Sequence, residues 1–165
     1  YQKAVIIYDL TYHFCKRFID TKDRTYDQMI QAARSGKQNI VEGHADMATS
    51  KESGIKLFNV ARGSLLELLE DYRDYLRVHN MRLWEDYSEE ASTMAKLGVE
   101  HNDPKYFIEL AESRTDSTIA NMTIVLIRQA ISLTTKYLDR VCENFSKEGG
   151  FRENMTAIRV NKRKK

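Results

Sequence analysis

Between Thr115 and Ser146 apolar residues recur every three or four positions without a break. Ile119, Met122, Leu126, Ala130, Leu133, Tyr137 and Val141 form one row, with Ile124, Ile127, Ile131, Leu138 and Phe145 beside it. This spacing keeps side chains on one face of a helical turn and has none of the two-residue alternation of a strand. The stretch predicts one helix of about 48 Å at 1.5 Å per residue, stopped by Gly149 and Gly150. A chain with such a rod must cover it with others of similar length.

The remaining segments supply them. Lys3 to Ile19 carries Val5, Tyr8, Tyr12, Cys15 and Ile19 on one row and Ile6, Leu10, Phe14 and Phe18 on a second, so this helix is buried broadly. The polar run from Asp20 to Arg24 is a turn, and Thr25 is the expected N-cap of a second helix bearing Tyr26, Met29, Ile30, Ala33, Ile40 and Val41. Ala32, Ala33, Ser35 and Gly36 occupy its middle, where Gly costs about 1 kcal/mol relative to Ala, a cost that close helix packing offsets. The pattern breaks between Met47 and Ser50, and Thr49 with Glu52 reads as a capping box opening a third helix.

In that third helix Phe58, Ala61, Leu65, Leu68, Tyr72 and Tyr75 make a heptad seam, and Leu66, Leu69 and Leu76 a second stripe. The helix is about 45 Å long by the same rise, so it matches the last one. Its extra apolar width predicts that Leu66, Leu69 and Leu76 contact another copy of the chain. Residues 81–114 form a helical excursion. Leu83, Trp84, Tyr87, Ala91, Met94 and Leu97 fit one short helix closed by a loop at Gly98, and Asn102 or Asp103 with Pro104 opens another.

The expected fold is therefore all-α: an up-down-up-down four-helix bundle over residues 1–148, with the excursion between helices three and four, then a Gly-Gly hinge and basic tail over 149–165. No repeat of the 20 to 50 residues typical of solenoids is present. Helices one and four should run antiparallel, which sets Cys15 and Cys142 too far apart for a disulfide. One Pro, seven Gly, 42% apolar and 30% charged residues exclude collagen-like and disordered chains. The longest aliphatic run, Ile124 to Ile127, is too short to cross a bilayer. Two cysteines without a CxxC pair and a start unlike a signal peptide place the chain in the cytoplasm, where sequons such as Asn121-Met-Thr carry no meaning.

Searching for chemistry excludes several classes. No Glu stands three residues before His13, His44, His79 or His101, so the helical di-iron pattern is absent, and no paired histidines or cysteines suggest another metal. Ser35-Gly36-Lys37-Gln38 lacks the first Gly and the final hydroxyl of a phosphate loop. No cofactor is implied and no enzymatic activity is expected. Asn39 and Glu42 on the second helix, with Ser64 and Glu67 on the third, lie at three-residue spacing beside the small residues. They form either a shared buried hydrogen-bond network or two solvated edges. The formal charge is +2, yet Arg159, Lys162, Arg163, Lys164 and Lys165 carry five positive charges, so residues 1–158 are net acidic. A nucleic-acid contact would then be confined to these tail residues.

Two blocks carry a family resemblance: Gln31-Ala-Ala-Arg-Ser-Gly-Lys-Gln-Asn39-Ile-Val-Glu42-Gly43, and Phe58-Asn-Val-Ala61-Arg-Gly63-Ser64-Leu-Leu-Glu67-Leu. They resemble the four-helix bundle proteins encoded in 23S ribosomal RNA intervening sequences, whose members read Asn-Ile-Ala-Glu-Gly and then Ala-x-Gly-Ser-x-x-Glu-Leu. Val41 stands where that family has Ala. The excursion and the Gly-Gly plus basic end look like the variant described as a four-helix bundle suffix domain. The resemblance implies a ring-like homopentamer without catalytic activity, and makes Asn39, Glu42, Gly43, Gly63, Ser64 and Glu67 its motif residues. A distant relative is the pentameric accessory protein of diversity-generating retroelements, which binds a reverse transcriptase and nucleic acid. The expected function is an oligomeric interaction scaffold for another macromolecule, a protein or a nucleic acid, with no membrane partner. The alternatives are RNA or DNA binding through the tail, and a small-ligand or enzymatic pocket near Asn39, Glu42 and Glu67.

Overall fold

In the computed structural model, residues 1–148 are described, and their side chains as far as residue 144. The hinge and the tail candidates Arg159, Lys162, Arg163, Lys164 and Lys165 lie outside the described residues. Six helices and no strands make up the described part: α1 (Gln2–Phe18), α2 (Arg24–Asp46), α3 (Lys51–Val78), α4 (Glu89–Glu100), α5 (Pro104–Glu112) and α6 (Asp116–Glu148). Among the described residues no helix is long and apolar enough to cross a membrane. The chain divides into a unit of Tyr1–Thr134 and a second beginning at Thr135. In the second, the C-terminal part of α6 carries a buried Leu138 and an exposed Cys142.

The helix ends correct several expectations. Asp23, not Thr25, caps α2: its carboxylate accepts the Thr25 N–H at 2.9 Å, because a side chain two residues before a free amide reaches it and the adjacent one does not. Ser50, not Thr49, caps α3, accepting from the Ser53 N–H at 3.2 Å. Thr49 instead donates its hydroxyl to the Asp46 carbonyl and so closes α2. Asp103 caps α5, with Pro104 in the first turn as expected. α3 ends in a Schellman motif: Asn80 takes a left-handed φ of 54°, Met81 N–H donates to the Leu76 carbonyl and Asn80 N–H to that of Arg77.

The excursion differs most. Residues 81–88 are not helical. The wholly buried Asn121 of α6 holds them instead, accepting from Trp84 N–H at 2.7 Å and donating to the Arg82 carbonyl at 2.9 Å. One amide thus satisfies two backbone groups that a helix would have paired internally. Gly98 lies inside α4 rather than in a loop after it.

The core of the first unit joins Ile6, Leu10 and Phe14 of α1, Met29 of α2, Leu65, Leu68 and Tyr72 of α3, Phe107 of α5, and Ile119 and Ile124 of α6. Each such side chain contributes roughly 1.5–3 kcal/mol by leaving water. α2 and α3 run antiparallel, since Gly36 faces Leu65, Gly43 faces Phe58 and Gly54 faces Met47. α1 lies along α2 and α5. The Tyr72 hydroxyl, buried completely, donates to Thr11 of α1, and Thr11 donates to the Ile7 carbonyl. Tyr75 donates to Asp116 at the start of α6 at 3.0 Å and packs edge-on to Phe14.

Leu69 and Leu76 are 5% and 1% exposed, covered within the chain itself. They are therefore not contacts with another copy, and the wide stripe on α3 reflects a helix embedded on more than one side. Leu66 alone of the three stays exposed.

Candidate functional site

Two regions of the first unit stand out. One is the outer ridge of the α2–α3 pair, where the motif residues fall. Here the structure resolves the open choice between buried network and solvated edge by dividing the residues. Ser35 and Ser64 share a hydroxyl hydrogen bond of 2.9 Å across the pair, and Asn39 Nδ2 donates to the Ser35 carbonyl at 2.9 Å and to its hydroxyl at 3.1 Å. Ser64 is buried, whereas Glu42 and Glu67 are exposed. Small hydroxyl groups fit the narrow seam. Carboxylates do not enter it, because burying their charge unpaired is costly.

Gly43 and Gly63 also part company. A Cβ on Gly43 would lie 3.0 Å from the Phe58 ring, so that glycine belongs to the α2–α3 seam. A Cβ on Gly63 would meet nothing within 4 Å. Val60, one turn before Gly63, is about half exposed. Along the ridge, burial first, then the charges of Asp74 and Glu67, raise the Asp71 carboxyl above its usual range.

The other region is a cavity of about 550 Å³ bounded by α4, α6, the start of α1 and the 81–88 segment. Ala91, Ala95 and Gly98 line it from one face of α4, and Val125, Gln129 and Leu133 from one face of α6. Gln129 Nε2 donates to the Ala95 carbonyl at 2.7 Å. Its Oε1 is buried without a hydrogen-bond partner and sits where a Cβ on Gly98 would go, which is why α4 carries glycine there. Lys3 Nζ donates to the Gly98 carbonyl, and Arg128 pairs with Asp86. Burial pushes the Lys3 ammonium below the ordinary lysine range.

This cavity escaped the sequence reading, which put the ligand alternative beside Asn39, Glu42 and Glu67. Its signals are faint: small residues at helical spacing on α4, and Arg128-Gln129 interrupting the apolar rows of α6. Neither cysteine forms a disulfide; Cys15 is buried, and burial pushes its thiol up to about 12, which favours the protonated form at neutral pH. Among the described residues no group of three or more His, Cys, Asp or Glu is placed to hold a metal. No family model, curated protein or solved structure matches this chain. The likeness to the intervening-sequence proteins therefore rests on the two motif blocks.

Proposed function

We propose that this chain is a non-catalytic cytoplasmic scaffold in which α1, α2, α3 and α6 form an up-down-up-down bundle, and which assembles with copies of itself along the outer α2–α3 ridge. The observation that carries this reading is the open space at Gly63. Gly in a helix interior costs about 1 kcal/mol relative to Ala. Gly36, Gly43 and Gly54 have that cost offset by neighbours within the chain, but Gly63 has no such neighbour. A close approach from outside accounts for it, since a bare backbone lets another helix or side chain come nearest. The exposed Val60 on α3 and the partly exposed Asn39 on α2 give that approach both apolar and hydrogen-bonding surface. The family resemblance supports a pentamer as the assembly.

Native mass measurement and sedimentation at micromolar concentration test the reading. Wild type is expected as an oligomer of five, and Gly63→Leu as a monomer with unchanged helical circular dichroism. A monomeric wild type overturns the proposal. So does a Gly63→Leu protein that keeps the wild-type mass and simply melts at a higher temperature, the result that helix propensity alone produces.

A further inference from the structure

We propose that the cavity between α4 and α6 binds a small amphiphilic monoanion, an apolar body ending in one carboxylate. Its volume, about 550 Å³, falls within the roughly 300–1,000 Å³ of small-molecule sites. The walls are apolar where they face one another: Ala91 and Ala95 on α4, Val125 and Leu133 on α6, with Val99 at the edge. Val99 and Leu133 are 74% and 56% exposed, so aliphatic surface lies open to water at this place and gains from being covered.

Charge selects the head group. Lys3, Arg128 and Asp86 are the ionisable groups lining the cavity, leaving a net positive charge. Asp86 accepts from Nη1 of the Arg128 guanidinium, which has five N–H donors and so retains others for a carboxylate. Lys3 spends one of three N–H donors on the Gly98 carbonyl. Lys3 is partly buried, so a nearby anion would offset the desolvation of its ammonium. An ammonium ligand would meet two cations here, and a neutral alcohol would offer them an acceptor oxygen without the opposite charge that strengthens the bond. The hydrogen bond from Gln129 to the Ala95 carbonyl ties α4 to α6 across the floor, so the walls are held before a ligand arrives.

Decanoate, decan-1-ol and decyltrimethylammonium, titrated below their micelle concentrations, test this. Calorimetry gives the affinity and amide chemical shifts of Ala95, Val99 and Gln129 the place. Decanoate is expected to bind about tenfold or more tightly than the alcohol, with shifts centred on those amides and no binding of the ammonium compound. Lys3→Gln and Arg128→Gln should each weaken decanoate about tenfold and leave the alcohol unchanged. Ala95→Leu, which narrows the cavity, should weaken both. Arg128→Lys should recover part of the loss, which separates lost charge from misfolding. The proposal is overturned if the alcohol or ammonium compound matches decanoate, if the shifts fall elsewhere, or if decanoate does not bind. Because the cavity is remote in sequence from Gly63, the monomeric Gly63→Leu protein should bind decanoate as wild type does; failure of one proposal is thus distinguishable from failure of the other.

Discussion

The α2–α3 seam and the α4–α6 contact both use small residues, and they differ in what those residues face. In the seam each glycine meets a large side chain: Gly36 meets Leu65, Gly43 the Phe58 ring and Gly54 the Met47 side chain. The space is filled, and the helices lie close. At the α4–α6 contact Gly98 is filled in this way by Gln129 and Leu126, whereas Ala91 and Ala95 line a cavity. Small residues on a helix thus mark either a tight seam or a hollow. The partner element decides between them, since dispersion contacts are gained only where atoms stand opposite one another.

The seam is tightest at Gly54. A Cβ there would lie 2.9 Å from the Gly43 carbonyl oxygen and equally near Met47. Gly54→Leu should therefore force the backbones apart and cost about 3 kcal/mol, read as a shift in urea midpoint at constant m-value. A loss under about 1 kcal/mol would show that the seam tolerates bulk and is no tighter than the other contact.

On the ridge beside the seam, charge rather than volume is the variable. The raised Asp71 carboxyl means that the folded chain binds this proton more tightly than the unfolded chain does. Its ionised form therefore destabilises the fold at neutral pH, and the penalty is relieved as pH falls through the raised folded value toward the unfolded one. Asp71→Asn should raise the melting temperature at pH 7, and the advantage over wild type should vanish below about pH 4. An advantage independent of pH would contradict the assigned cause.

The smallest effect is expected in the hollow. Ala95→Leu adds volume where the cavity has room, and the Gln129 bond is to the Ala95 backbone, which the substitution keeps. Stability should change by less than about 1 kcal/mol in either direction, against the large loss at Gly54. A loss as large as that at Gly54 would mean that the two contacts are packed alike.

Much of the helical framework was legible. The long rows in α1, α3 and α6 repeat through many turns, so an error at one position hardly moves the phase, and the Asp103-Pro104 start of α5 is a local signal read from adjacent residues. The capping errors at Thr25 and Thr49 arise because neighbouring polar residues offer the same chemistry, and only the backbone path shows which oxygen reaches a free amide. The 81–88 segment was misread because Leu83, Trp84 and Tyr87 imitate a helical row. The residue that holds this segment in another conformation, Asn121, is more than thirty positions away.

The candidate sites divide in the same manner. The motif spacing showed that Asn39 and Glu42, or Ser64 and Glu67, share a helical face, but not that the hydroxyls enter the seam while the carboxylates stay outside. Nor did it show that Leu69 and Leu76 are spent on the chain's own core. The cavity was invisible because Lys3, Asp86, Ala95 and Arg128 come from four separated stretches.

What the amino-acid order determined alone is the helical period, the main breaks and the apolar faces, because these follow from backbone geometry and side-chain type over a few neighbouring residues. What only the tertiary structure decided is which faces meet, which small residue has a large one opposite, and where space is left over. Those outcomes depend on atoms distant in the chain arriving at one place, and the close packing of an interior makes each fit or gap a property of both sides at once.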